Sequence, residues 1–211
     1  MGGDVNVLEK LASFAKPGSV YTVDVFQLVL RVMNGVNSQD WLKTLVKQEG
    51  LLRQVLVGTG ITGDPIYVPT LLHHMSIPEF ARVAGEAFCL VTGVNLEKDA
   101  LVTDPPGNFD AGPTEDPEDV NVAMDPDEKL PWPDVPKLKY WWDKNQHQFQ
   151  AGARYLLGKP ISQNHCLDVL KTGMQRHRLA ASFEIALMQP STPLFQIIAP
   201  MVKQKAKLQI G

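Results

Sequence analysis

Arg176, His177 and Arg178 stand in a row, His73 and His74 are adjacent, and His165 precedes Cys166. These are the side chains best suited to move protons or hold anions. Adjacent residues on a helix point about 100° apart, so His73 and His74 do not chelate one ion together. The same geometry separates the His165 imidazole from the Cys166 thiol, which disfavours a thiol–imidazole nucleophile at those positions. His177 between two arginines reads as a solvated or anion-facing surface rather than a general base. The chain has no Walker loop, GxSxG elbow, HExxH or CxxC motif. The "GTG" at 58–60 falls inside a helical pattern and cannot cradle phosphate as a loop would. No catalytic residue and no cofactor are expected.

Metal chemistry has one candidate, the run "TEDPEDVNVAMDPDEKLPWPD" at 114–134, with eight carboxylates and one lysine. Asp116, Glu118, Asp119, Asp125, Asp127 and Glu128 would be hard oxygen ligands of the kind calcium takes in sets of about six to eight. The spacing does not fit an EF-hand loop, no glycine stands at its turn position, and Pro117 and Pro126 interrupt the ladder. A metal site is therefore not expected. Asp116, Asp125 and Asp127 instead flank prolines, where carboxylates cap turns. Trp132 lies between two prolines, a stiff presentation that calls for a pocket around the indole. The segment is expected to be ordered by packing Val120, Val122, Met124 and Trp132 across helices.

Charge is distributed unevenly. Residues 97–134 hold twelve of the 23 carboxylates but only Lys98 and Lys129, a local balance of −10, which leaves the remainder at +7. Opposite fields on one chain attract, so the acidic strip is expected to lie against the basic body. An internal polyanion also competes with nucleic acid for the same cations, and no nucleic-acid partner is expected.

Helical periodicity surrounds this strip. In "EFARVAGEAFCLVT" (79–92), Phe80, Val83, Ala84, Ala87, Phe88 and Val91 form one apolar stripe, Glu79, Arg82 and Glu86 the opposite side, and Gly93 the stop. "GDPIYVPTLLHHM" places Asp64 as N-cap and Pro65 at the first helical position, with Val68, Leu71, Leu72 and Met75 inward. "LLRQVLVGTGIT" turns Leu52, Val55, Leu56 and Thr59 to one face, with Gly58 and Gly60 allowing close helix approach. "VDVFQLVLRVMNG" offers Val25, Leu28, Val29, Val32 and Met33, ending at Gly35. "SQDWLKTLVKQ" follows with Ser38 as cap and Trp41, Leu42 and Leu45 inward. "PKLKYWWDKNQHQF" carries Leu138, Trp141, Trp142 and Phe149 as core, with Lys137, Lys139 and Lys144 as a solvated edge. The runs 154–158 and 194–200 suit a small two-stranded ribbon. Residues 201–210 alternate like a strand, while Pro200 also suits a helix start; both remain open.

Gly35, Gly63 and Gly93 stand 28 and 30 residues apart, a period expected of stacked helical pairs that cannot bury their stripes alone. The stretch "VGTGITGDPIYVPTLLHHMSIPEFARVAGEAFCLVTG" resembles a short bacterial HEAT repeat, with its Gly-Asp-Pro turn, Val-Pro-x-Leu-Leu helix and Arg-x-Ala-Gly-Glu-Ala helix. "GKPISQNHCLDVLKTGMQRHRLAASFEIAL" is similar to a degenerate second copy, with Leu179, Phe183, Ala186 and Leu187 inward. With the acidic strip, "LPWPD", "WW" and "RYLLGKP", essentially the whole chain resembles the carboxy-terminal half of a proteobacterial HEAT-repeat family. The resemblance implies an all-α, HEAT-like α-solenoid of paired antiparallel helices with a long acidic, proline-rich insertion. It also implies amino-terminal repeats beyond this chain, and it adds no activity.

The expected organisation is HEAT-like repeats over 1–94, an acidic insertion over 95–136, and a helical block over 137–211. A hydrophobic fraction of 44% and a charged fraction of 20% in 211 residues suit a globular core. No run nears the roughly 20 apolar residues that cross a bilayer, and the first 16 residues lack a secretion signal. Cys89 and Cys166 sit in apolar helical patterns as free thiols. Together these predict a soluble cytoplasmic protein without a membrane partner. The leading expectation is a non-enzymatic scaffold binding a protein through Arg82, Trp132, Trp142, His165, Arg176, His177 and Arg178. The alternative is an enzyme or cofactor-handling HEAT protein, like the chromophore lyases this repeat type resembles. It requires Arg82, His165, Arg176 and His177 to converge on a pocket.

Overall fold

A computed structural model describes residues 5–107, 109 and 124–208. The described residues are mostly helical. They form α1 (Val5–Ala12), α2 (Thr22–Val32), α3 (Gly35–Leu45), α4 (Leu52–Thr62), α5 (Val68–His74) and α6 (Pro78–Thr92). Then come α7 (Val135–Asn145), the strands β1 (Tyr155–Leu156) and β2 (Lys159–Pro160), and α8 (Gln163–Thr172), α9 (Gln175–Met188) and α10 (Met201–Leu208). No helix among the described residues is long and apolar enough to cross a membrane.

α4 is pressed between α2 and α6. Its two interior glycines make this contact: a Cβ on Gly58 would meet the Phe26 ring, and one on Gly60 would stand 3.0 Å from the Ala87 Cα. α3 lies against α4, α5 against α6, and α7 against α5, while α8 and α9 pair and α9 reaches back to α2. Phe26 centres the apolar cluster around α2–α4 and Phe88 the one around α4–α7. Each ring is fully buried, which stabilises by roughly 1.5–3 kcal/mol. Leu138 and Trp142 of α7 join the Phe88 cluster, and Cys166, Leu170, Ala181 and Leu208 build a third around α8–α10.

The ribbon is a tight hairpin with left-handed backbone at Leu157 and Gly158, the pattern of a two-residue reverse turn. It closes the carbonyl ends of two helices. The Tyr155 N–H donates to Gly63 O (2.8 Å), Leu157 N–H to Leu90 O (2.7 Å) and Gly158 N–H to Val91 O (3.0 Å). These are carbonyls near helix C-termini that lack partners of their own. Gly63 and Gly93 end α4 and α6 in the left-handed region, as their sequence positions predict. Asp64 caps the next turn through Ile66 N–H (3.0 Å) and also accepts from Gly152 N–H (3.0 Å), fixing the hairpin's approach.

Several expected details change. Gly35 does not end a helix: Asn34 caps α3 by accepting from Asn37 N–H, so Gly35 opens that helix and Ser38 lies inside it. α2 buries Phe26, Leu30 and Arg31 along with Val25 and Val29, while Leu28 and Val32 are exposed. α9 buries Ala180, Ala181 and Ile185, with Leu179, Phe183, Ala186 and Leu187 only partly covered. Residues 154–158 pair with 159–160 rather than with 194–200, and Pro200 precedes a helix, α10. Met124 is 67% exposed and does not pack across helices. Val120, Val122, Asp116, Glu118 and Asp119 lie outside the described residues.

A buried charge cluster joins the two ends of the chain. Glu184 of α9 accepts from Arg154 Nη2 (2.6 Å) and Nη1 (3.2 Å), and its Oε1 lies 3.1 Å from Arg31 Nε of α2. Arg154 also donates to Thr62 O (2.9 Å) and Arg31 O (3.3 Å), so one guanidinium reads α2, α4 and α9 together.

Candidate functional site

The acidic strip re-enters the fold as a strap over α6. Thr103 N–H donates to Trp132 O (3.0 Å) and Asp134 N–H to Leu101 O (2.9 Å), flanking a bridge between Val102 and Pro133. Pro133 packs on Gly85, where a Cβ would stand 3.3 Å from its ring. This pairing lays the Trp132 indole 4.8 Å and the Phe109 ring 5.3 Å from the Arg82 guanidinium. Asp125 forms an ion pair with Arg82 Nη2 at 2.6 Å, and Asp127, itself buried, pairs with Arg53. Acidic strip and basic body thus meet at these two ion pairs and at a third, Asp134 with Lys137 (2.9 Å). Arg82 is 7% exposed, not on a solvated face with Glu79 and Glu86. The strap supplies both a carboxylate and two aromatic faces, and these make burial of the charge tolerable.

One turn along α6, Glu86 and Cys89 face a groove of about 440 Å³. Asn95–Lys98 close one side, Lys129 of the strap another, and Gly173, Met174, Arg176 and His177 the third. The α8–α9 connection places the last set. Gly173 and Met174 run extended, and the Met174 side chain caps nothing, so α9 begins with its amides open. The first intrahelical bond of α9 runs from Arg178 N–H to Met174 O (2.9 Å). The N–H groups of Gln175, Arg176 and His177 therefore have no partner within the helix.

Arg176 Nε pairs with Glu86 Oε1, and His177 Nε2 lies 4.0 Å from the same oxygen, too far for a hydrogen bond. His177 Nε2 is buried and has no hydrogen-bond partner among the described residues. Burial first, and the neighbouring Arg176 charge second, push His177 down to about 4. Burial raises the Glu86 carboxyl above its ordinary value, with Arg176 opposing. Burial also pushes the Cys89 thiol up to about 12. At neutral pH the groove thus holds a neutral imidazole and a protonated thiol beside the Glu86–Arg176 pair. Among the described residues that set presents no activated nucleophile.

The remaining expected residues serve the fold. His165 Nε2 meets Leu156 O at 2.7 Å, bracing the hairpin on α8. Trp142 is buried beside Phe88, with ring centroids 6.4 Å apart, and it lines an open groove of about 840 Å³ between α5 and α7. Arg178 donates to Leu170 O (2.8 Å) and to Gln204, tying α8 and α10 to α9. His73 and His74 stand edge to face, and His74 Nδ1 meets Thr70 O (2.8 Å). Of the four side chains needed for a shared pocket, Arg176 and His177 converge, while Arg82 and His165 lie elsewhere. Glu86, their common neighbour, was missed: it reads as a surface ion-pair residue, and nothing local announces α9. Among the described residues no three His, Cys, Asp or Glu side chains converge to hold a metal.

Two measurements check this description. His177 titrates lower folded than unfolded, so the stability that depends on its neutrality is complete above about pH 6.5 and drains as pH falls toward 4. Glu86 has the opposite sign. Its contribution is complete below 4.5, its ordinary value, and is lost as pH rises through the higher folded one. His177→Asn removes the first effect alone, so its melting temperature should fall less than that of the parent between pH 6.5 and 4. Equal falls would contradict the burial of a neutral imidazole. Cys89 and Cys166, both buried and free, with thiols raised to about 12 and about 11 by burial, should react with an aromatic disulfide reagent at about pH 8 only as the chain opens. Rapid reaction of both in the native protein would refute it.

No protein-family model, curated protein or solved structure matches this chain.

Proposed function

We propose that the chain is a non-enzymatic scaffold or adaptor, built on HEAT-like paired helices and binding a protein partner in the cytoplasm. The observation that supports this reading is the succession of contacts from α2 to α4 to α6, with α3 against α4 and α5 against α6. Such stacking leaves extended faces open while each pair covers its neighbour's apolar stripe. The open groove between α5 and α7, with Pro69, Leu72, Val135 and Trp142 on its walls, is the part of that face suited to a partner side chain. The charged groups that first suggest chemistry support the same reading, because most are spent on the fold. Arg82 and Arg53 hold the strap, Arg31 and Arg154 hold Glu184, and both thiols are buried. Arg53 and Arg82 are thereby withdrawn from any nucleic acid.

A photo-crosslinking residue at Lys139, on the rim of the α5–α7 groove, tests the proposal in the native host. One discrete protein adduct is expected there and not from the same probe at Lys43, on α3. No adduct at Lys139, together with turnover by the purified chain in hydrolase or transferase screens, would overturn it. The convergence of Glu86, Arg176 and His177 on one groove favours a second reading, a pocket that handles a small molecule.

A further inference from the structure

We propose that the groove between α6 and the start of α9 binds a small phosphate monoester. Two independent features point to a ligand. The first is the amino end of α9, a 14-residue helix whose Met174 N-cap supplies no side-chain bond, leaving the amides of Gln175, Arg176 and His177 facing outward along the helix axis. Those amides and the helix dipole favour an anion. The second is His177. Its ring is buried at 7% exposure, lines the groove, and keeps Nε2 without a partner among the described residues. A buried polar atom left unmatched is destabilising, and a ligand oxygen supplies the missing bond.

The charges facing this point come from three elements. α9 contributes Arg176, the turn after α6 contributes Glu97 and Lys98, and the strap contributes Lys129. Glu86 of α6 is already engaged by Arg176. Two exposed lysines therefore stand against one free carboxylate, Glu97, before the helix dipole is added. The donor set of the Arg176 and His177 amides, one imidazole N–H and two ammonium groups exceeds what the two oxygens of a carboxylate accept. It matches the three terminal oxygens of a phosphate monoester. At about 440 Å³ the groove is larger than the phosphate itself and leaves room for a small organic group. A dianion beside His177 also offsets the charge of Arg176, so the imidazole holds a proton more readily in the complex, while selection of the dianion expels the phosphate's own second proton, which ordinarily leaves near pH 6. This site is separate from the α5–α7 groove and stands or falls independently of the scaffold reading.

The test is an amide and imidazole NMR titration of the full chain with glycerol 3-phosphate, inorganic phosphate and acetate. Saturable shifts at Gln175, Arg176 and His177 are expected with glycerol 3-phosphate, weaker with inorganic phosphate, and unsaturable with acetate. Lys98→Glu and Lys129→Glu, both at exposed positions, should each weaken binding about tenfold while leaving the ligand-free melting temperature unchanged. His177→Gln removes the imidazole's share, so net proton release on binding at about pH 6 should rise, read by calorimetry in buffers of different ionisation heat. Equal, unsaturable shifts for all three anions, or an affinity indifferent to both lysine variants, would overturn the proposal. Saturation by inorganic phosphate as tight as by glycerol 3-phosphate would overturn the assignment to a monoester.

Discussion

Glu184→Ala should destabilise the protein by about 4 kcal/mol, as a loss of urea midpoint at unchanged slope. Glu184 is the one carboxylate between two guanidiniums, Arg31 and Arg154. Arg31 is 6% exposed, and burial already pulls it down to about 10 against the opposing attraction of Glu184. Without the carboxylate, Arg31 keeps its charge at neutral pH with no counterion and with the Arg154 charge beside it. The loss then reflects a stranded ion more than a lost contact. A second variant separates these two costs. Arg31→Met with Glu184→Leu removes the two most buried charges and keeps the volume, leaving only the part-exposed Arg154 without its carboxylate, so it should recover much of the stability lost by Glu184→Ala. A single-variant loss below about 1 kcal/mol would show that water reaches the cluster and that the α2–α9 contact is not held by charge.

Gly93→Ala should cost about 3 kcal/mol, and Gly63→Ala a similar amount. Both glycines have positive φ, +77° and +70°, which a β-carbon disfavours by roughly 1–2 kcal/mol. The larger part is steric. A Cβ on Gly93 would stand 2.5 Å from Leu157 O, and one on Gly63 would collide with Tyr155 O. Neither oxygen can retreat easily, because the hairpin that bears it is bonded to the ends of α4 and α6. Gly50 provides the control, with φ +79° and nothing within 4 Å of an added Cβ. Gly50→Ala should show the conformational cost alone, about 1 kcal/mol. Equal losses at positions 50 and 93 would mean that the hairpin yields.

The residues that were legible in the sequence share one property: their local pattern agrees with their tertiary role. α6 is polar on one side and apolar on the other, and its stripe from Val83 to Val91 is buried as read. Asp64 and Pro65 announce a helix start, and Gly63 and Gly93 announce stops, because backbone geometry demands those types. α2 was misread because "VFQLVLRVM" is apolar almost all round, and its neighbours α1, α4 and α9 choose the buried faces. Gly35 follows Asn34, and either could punctuate the chain; the hydrogen bond from Asn37 N–H to Asn34 decides. At the site, Arg176 and His177 were visible as types, whereas Glu86 lies 90 residues earlier and pairs only through tertiary packing. Arg82 was misplaced for the same reason, since its carboxylate comes from Asp125. Arg31 and Glu184 left a faint trace: each is a lone charge inside an apolar stretch, with no opposite charge three or four residues away.

Helical hairpins that touch only their neighbours melt piecemeal, each unit opening on its own. Here a five-residue crosspiece, Arg154 to Gly158, is moored to the ends of α4 and α6 at once, and its first residue grips the partner that α9 shares with α2. Fraying at one end of the molecule therefore tugs on the other. Denaturation should sweep through the described helices as a single event, with tryptophan emission from α7 and backbone ellipticity following one curve.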